Sequence, residues 1–254
     1  LNSLPRVERS RLLDGNWYAR AEGSNYWNRD WVENAPYPTF KTTKCRAWDK
    51  GASIPSEKNR YVDPTASIRM EKGENGIYYI IGDFIPEGKD DKSDIYGKFC
   101  RLAGERDTII ANQAEADGEE VPIILPKDVG QAGIVEFQES AKKLLSDGYI
   151  VRADAMPTNK SKLTKFSPFA AACQAGLVRI VEASFPNKAT LDAFYKELES
   201  FDGERSTAHR KDDWPDACAT AFNYLCKERV IKIVPRNQNN DPTLAKTVLT
   251  NMNN

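Results

Sequence analysis

The sequence predicts an α/β fold, a mixed β-sheet with helices on both faces. Two observations carry this expectation. Residues 65–85 hold two apolar-rich runs around a Gly-Glu-Asn-Gly turn, the signature of a β-hairpin. Beyond that, stretches with helical periodicity alternate with short apolar runs, the order that stacks helices against a sheet. With 254 residues and 40% hydrophobic content, the chain can bury one sizeable core, or one domain and a small appendage.

Taken in order, residues 1–40 are rich in Trp, Asn, Arg and Pro and read as an N-terminal arm or linker remnant. The arm holds at most a short helix near Val7–Leu13, ended by Gly15, and Trp17, Tyr18, Tyr26, Trp27 and Trp31 would lay it on the rest of the protein. A main domain is expected over residues 41–235. It opens with a short strand in "KCRAWDKGAS" and continues with the hairpin strands, about 65–72 and 77–85. Ile95, Phe99 and Leu102 predict a helix over "KSDIYGKFCRLAGERD", and the acidic stretch Glu115–Glu120 reads as a solvated loop. "VPIILPKD" predicts a strand ending at Asp128, "GQAGIVEFQESAKKLLSDG" a helix closed by Gly148, and "YIVRADA" another strand. "SKLTKFSPFAAACQAG" predicts a helix that starts or bends near Pro168. The strand "LVRIVEA" follows, then an amphipathic helix with Leu191, Phe194 and Leu198 on one face, and a last helix over "WPDACATAFNYLCKERV". Residues 236–254 form a polar, Asn-rich tail, expected to be partly flexible.

Composition narrows the chemistry. There are 36 basic and 37 acidic residues, so no global positive charge advertises nucleic acid, although a local basic groove is sufficient to bind it. The five cysteines, at 45, 100, 173, 218 and 226, are odd in number and include no CxxC pair, which reads as reduced thiols in a cytosolic protein. His209 is the single histidine, so a histidine-based zinc site or a Ser-His-Asp triad would have to be built around it; by position it reads as a surface residue. No apolar run approaches the ~18 residues of a membrane span, and no signal peptide is present. The chain starts at Leu1 and reads as a fragment or processed product, and it contains no GxxxxGK[ST] phosphate loop.

Carboxylates stand where an α/β sheet gathers function. Asp49 ends the first strand, Asp128 follows the strand "PIILPK", and Asp212, Asp213 and Asp216 open the last helix. Carboxylates converging from three segments repel one another and raise their own pKa values, and a hard divalent cation removes that penalty. Two such ions about 3.5–4 Å apart clamp both the attacking and the leaving oxygen of a phosphodiester. The plainer alternatives stay open. Asp213 suits an N-cap, with Pro215 in the first turn and Asp216 favourable to the helix dipole, which still leaves Asp212 unexplained. Asp49 and Asp128 also suit turns. Lys160, Lys162 and Lys165 fit a solvated helix start or a phosphate-facing patch equally well.

Together these segments resemble the C-terminal nuclease domain of the large terminase subunit of tailed bacteriophages. The resemblance runs from about residue 6 to about 226, through "RSRLLDGNW", "CRAWDKGAS", "VDPTAS", "ILPKDVGQAG", "SKLTKFSPFAAACQAGLVRIVE", "FYKELESFDG" and "KDDWPDA". It implies an RNase H-like fold and a two-metal DNA endonuclease, using two Mg2+ or Mn2+ ions, that cuts concatemeric double-stranded DNA. Matched position by position, Asp49, Asp128 and Asp213 are the expected catalytic metal ligands. Asp212 is a partner or substitute, and Asp216 a supporting acid one turn along. Lys160, Lys162, Lys165 and Arg210 are the expected DNA-backbone contacts. The sequence departs from the family pattern where Pro126 stands in place of a glutamate, Lys165 in place of an arginine and Val129 in place of a proline. The resemblance also implies an N-terminal ATPase motor, portal and small terminase subunit as partners, and the cytoplasm of an infected bacterium as the setting. An RNase H-fold resolvase or ribonuclease, and a non-catalytic DNA-binding or portal-docking module, are the alternatives.

Overall fold

A computed structural model describes residues 26–127, 130–154, 161–204, 206–207 and 210–227. Among the described residues, eight strands form one sheet: β1 (Glu33–Asn34), β2 (Thr42–Asp49), β3 (Thr65–Gly73), β4 (Tyr78–Ile81), β5 (Lys98–Phe99), β6 (Ile123–Leu125), β7 (Val151–Ala153) and β8 (Val178–Val181). Their spatial order is β1-β8-β4-β3-β2-β6-β7, with β5 paired to the start of β3. The meander β2-β3-β4 is antiparallel, whereas β6 runs parallel to β2, β7 parallel to β6, and β8 parallel to β4. The hairpin turn falls where the sequence places it: Gly76 takes a positive φ of 80°, and Gly73 N–H donates to Ile77 O at 2.9 Å.

Among the described residues the α-helices are α1 (Ala103–Asp117), α2 (Gln131–Ser146), α3 (Lys162–Gln174), α4 (Lys188–Ser200) and α5 (Asp213–Lys227). Strand alternation divides them between two cores. Cys45 and Ala47 of β2 and Ile124 of β6 point into the larger core with Phe169, Phe194 and Trp214 of α3, α4 and α5. Trp48 of β2 and Ile123 and Leu125 of β6 point to the opposite face, onto Ile109 and Ile110 of α1 and Leu144 of α2.

Several expectations need correction. Of the helix expected over residues 92–107 only 103–107 are helical, as the start of α1; the rest is turn, bend and the short strand β5. Gly97, at φ 72°, precedes β5, Phe99 is buried edge-on against Trp48, and Leu102 is exposed, so the Ile95–Phe99–Leu102 spacing marks no common face. The stretch at Glu115–Glu120 is not wholly a solvated loop. Helix α1 continues to Asp117, which is buried and receives the guanidinium of Arg46, including Nη2 to Oδ1 at 2.9 Å. Arg46 also donates to Gly82 O at 3.0 Å, so its charge is paired and its donors are used. Helix α3 starts at Lys162, not at Pro168, because Ser161 caps it by accepting from Thr164 N–H at 3.2 Å. Part of the arm belongs to the sheet: β1 pairs with β8, and Trp27 is fully buried and stacked on Tyr195. The helix expected at 7–13, Trp17, Tyr18, His209 and the C-terminal tail lie outside the described residues.

Removing one partner of a buried ion pair strands the other charge, at a cost of about 3–5 kcal/mol. Asp117→Ala is therefore expected to lower unfolding stability by that order, and the exposed neighbour Glu119→Ala to change it little. Urea titration of the two variants checks this; equal midpoints would contradict the pairing.

Candidate functional site

Because β2, β6 and β7 run parallel, their C-terminal ends share one edge of the sheet. Asp49 closes β2 there, and Asp154 leaves β7 with its N–H donating to Leu125 O at 2.8 Å. Asp49 continues the Cys45–Ala47 alternation and so faces the layer that holds α5, which packs on β2 and β3. The backbone just beyond Asp49 is fixed. Thr65 Oγ1 accepts from Gly51 N–H at 3.1 Å and donates to Gly51 O at 2.9 Å. A side chain at Gly51 would place its Cβ 2.0 Å from Asp63 O, so only glycine fits there. Lys50 turns to the opposite face and reaches Ser140 and Glu136 of α2.

Helix α5 begins at Asp213, so Asp213 is its first residue and not its cap. The carboxylate that receives Trp214 N–H, at 2.9 Å, belongs to Glu197 of α4. Lys98 of β5 bridges the two acids, pairing with Glu197 and lying 2.7 Å from Asp213 Oδ2, with its ammonium 5.1 Å from the Trp214 ring centre. That Asp213 oxygen is buried without a well-aligned hydrogen bond despite its ionic neighbour. Asp212 and Asp216 turn toward α3 and share Lys162, at 2.5 and 3.0 Å. Lys165, one turn along α3, pairs with Asp154 at 2.8 Å, and Thr220 Oγ1 donates to the same carboxylate at 3.1 Å.

The electrostatics follow from this crowding. Although part of its surface reaches solvent, Asp49 is held well above the ordinary carboxylate range, first by burial, then by Asp216 and Asp213; Lys165 and Lys162 oppose the shift. Burial also lifts Asp213 to about 6, with Lys98 opposing and Glu197 reinforcing the rise. Asp212 is raised mainly by burial, against Lys162. Burial pulls Lys162 down, but Asp216 and Asp212 outweigh it and hold the ammonium above its ordinary value.

The structure thus gathers Asp49, Asp212, Asp213 and Asp216 about one edge of the sheet, with Asp213 drawn toward Lys98 and Asp212 and Asp216 toward Lys162. Asp128 and Lys160 lie outside the described residues. Arg210 pairs with Asp202 at 2.5 Å, and Lys162 and Lys165 are each ion-paired. Asp154, Glu197 and Lys98 are participants that the sequence did not single out. Each sits in a segment whose pattern advertised something else: a short strand end, the polar side of an amphipathic helix, and a helix that does not form. Among the described residues, no three of His, Cys, Asp and Glu are placed to hold a metal ion. The oxygen-only, net-negative donor set, with Asp213 Oδ2 meeting no aligned hydrogen bond beside the Lys98 ammonium, suits a hard divalent cation, but the described residues do not complete its shell.

The family model described as "Terminase RNaseH-like domain" matches residues 60–225, a span that takes in Asp212, Asp213 and Asp216 and begins after Asp49. No curated protein matches the chain. Among solved structures, the magnesium-bound large terminase nuclease from the thermophilic phage G20c is 14% identical, with 80% of this chain and 98% of that one covered at a TM-score of 0.46. The large terminase nuclease domain of Thermus phage P74-26 is 14% identical, over 76% and 90%, at 0.42. The human cytomegalovirus terminase nuclease domain, manganese-soaked and inhibitor-bound, is 11% identical, over 80% and 96%, at 0.47.

A carboxyl whose folded pKa exceeds its unfolded value of ~3.9 stabilises the fold below that value and loses that contribution as pH rises through the folded pKa. Asp213, at about 6, is such a group. The melting temperature of Asp213→Asn relative to the parent, both metal-free, is therefore expected to rise between about pH 4 and pH 7. Thermal melts at constant ionic strength check it; a constant offset would contradict the assignment.

Proposed function

The chain belongs to the family of terminase RNaseH-like domains, and from that premise we propose that it is a divalent-metal-dependent endonuclease domain that hydrolyses the backbone of double-stranded DNA during packaging. One observation carries the catalytic part: Asp49 at the end of β2 stands in the repulsive field of Asp216 and Asp213 at the start of α5, in a partly buried site. A structural helix start does not need that opposing acid.

In this reading Asp49 and Asp216 are the principal cation ligands. Asp216 bears on Asp49 more than Asp213 does, and each is paired with a lysine, Asp216 with Lys162 and Asp213 with Lys98. Asp213 and Asp212 then support the site, Asp213 as the alternative third ligand. β6 ends at Leu125 on the same edge, between β2 and β7, and Asp128, three residues further in sequence, is the proposed donor from that segment. Mg2+ or Mn2+, two ions in the full site, would neutralise the phosphate and lower the pKa of water. Lys162 exchanges its carboxylate partners for the DNA backbone, and Lys165 and Arg210 reach the same strand. Such contacts carry no base information, so little sequence preference is expected. In the packaging setting, concatemeric DNA would be delivered by an ATPase motor with portal and small terminase subunit, in the host cytoplasm.

Nicking of supercoiled plasmid with Mn2+ tests this. Changing an outer partner of a metal site costs about 10–100-fold, so loss of a ligand in Asp49→Asn or Asp216→Asn is expected to cost at least that much. Asp49→Asn cutting at the parent rate would exclude the mechanism. DNA binding measured with Ca2+ is expected to weaken steeply with salt, and Lys162→Ala to reduce the slope of log K against log [salt] by about 1. An unchanged slope would remove Lys162 from the interface.

A further inference from the structure

Asp154 has no role in the scheme above, yet it is built into the same edge. It is the first residue beyond β7, its backbone N–H is tied to β6, and its carboxylate is largely buried with only 11% of the side chain exposed. Oδ2 receives two groups from different helices: Lys165 Nζ of α3 at 2.8 Å and Thr220 Oγ1 of α5 at 3.1 Å. Lys165 is further anchored through its backbone, since Asn223 Nδ2 of α5 donates to Lys165 O at 2.9 Å. The lysine is thus clamped at both ends, its main chain by α5 and its ammonium by Asp154.

Asp154 and Asp49 stand at the same edge of the sheet, beyond β7 and at the end of β2 with β6 between them, and of the two α3 lysines Lys165 opposes the rise of the Asp49 carboxyl the more. An ammonium released beside a partly buried carboxylate would close onto it and compete with any divalent cation for the same oxygens. Asp154 offers the ammonium a partner at 2.8 Å. Its second hydrogen bond, from Thr220, keeps the carboxylate turned toward α3. Resting on the endonuclease reading, we propose that Asp154 is a positioning residue that holds the Lys165 ammonium off Asp49, so that Asp49 stays open to a divalent cation and Lys165 is presented to a backbone phosphate.

The test is Mn2+ binding by the full chain, measured by calorimetry without DNA, together with plasmid nicking. Asp154→Asn keeps an acceptor for Thr220 but loses the ion pair. It is expected to weaken Mn2+ binding about 10-fold, the lower end of the effect of an outer-shell partner. Adding Lys165→Met to that variant is expected to restore binding to the parent level or tighter, because the competing ammonium is gone. A purely structural role would not be rescued in this way. If the double variant stays weak, Asp154 is itself a cation ligand and the proposal is overturned; if Asp154→Asn binds Mn2+ like the parent, it is overturned as well. Lys165→Met alone gives an arm that leaves Asp154 untouched. Nicking is expected to fall at least about 10-fold with Mn2+ binding no weaker than the parent, and weaker binding counts against the proposal. A parent that binds and cuts beside an indifferent Asp154→Asn sinks this inference alone. A parent that binds no Mn2+ sinks the endonuclease reading with it.

Discussion

Surplus negative charge at one end of a sheet is the constraint on which this structure turns. Asp49, Asp154, Glu197, Asp212, Asp213 and Asp216 stand there with three ammonium groups, those of Lys98, Lys162 and Lys165. The lysines come from β5 and α3, so the charge balance also fastens those elements to α5. Folding therefore brings the acids together only to the extent that the lysines follow. The remaining imbalance shows in the raised carboxyls of Asp49, Asp212 and Asp213, where burial is the leading cause. A helix N-terminus tolerates two or three acids because of its dipole, but that effect is worth about 0.3–1 kcal/mol per charge and does not reach across to the end of β2.

The same logic runs in the opposite layer with a different outcome. Arg46 and Asp117 form a buried pair whose donors and acceptors are consumed by Ser67, Gly82 and Gln113. Two residues of one strand, three positions apart and on opposite faces, therefore have opposite fates. Arg46, pointing to α1, is neutralised by its partner and serves packing. Asp49, pointing to α5, meets further acids and keeps a charge to be satisfied. The pleat of β2 separates the two environments, and a slip of one residue in register would exchange them.

Much of the architecture was legible because strand and helix patterns are local. The hairpin, the helices α2, α4 and α5, and the place of Asp49 at a strand end follow from alternation and turn residues. What could not be read depends on partners far away in sequence. Lys98 sits in a stretch whose apolar spacing imitates a helix, and only Trp48 and the acids of α4 and α5 draw it into an extended strand. Asp117 looked like part of an acidic loop until Arg46, 71 residues away, gave it a reason to be buried. Glu197 lies on what the sequence shows as the polar side of a helix, and its capping of α5 is visible only when the two helices meet. In the site, the acids were legible as a set. Their division of labour was not, because it is decided by which lysine each one finds.

That division also separates the rival functions. A docking or binding module needs the acids only for capping and turns, and here Glu197 already caps α5 while Thr65 and Gly51 already fix the turn after Asp49. Asp49 is thus not needed for the turn that follows it, and Asp216, although paired with Lys162, stands against it. A carboxylate at a strand end that faces the acids of a helix start is what a divalent cation would use in the proposed endonuclease. A resolvase or ribonuclease of the same fold would use that cation equally well, so the choice of duplex DNA rests on family membership and on the lysines that flank the acids, not on the acids themselves.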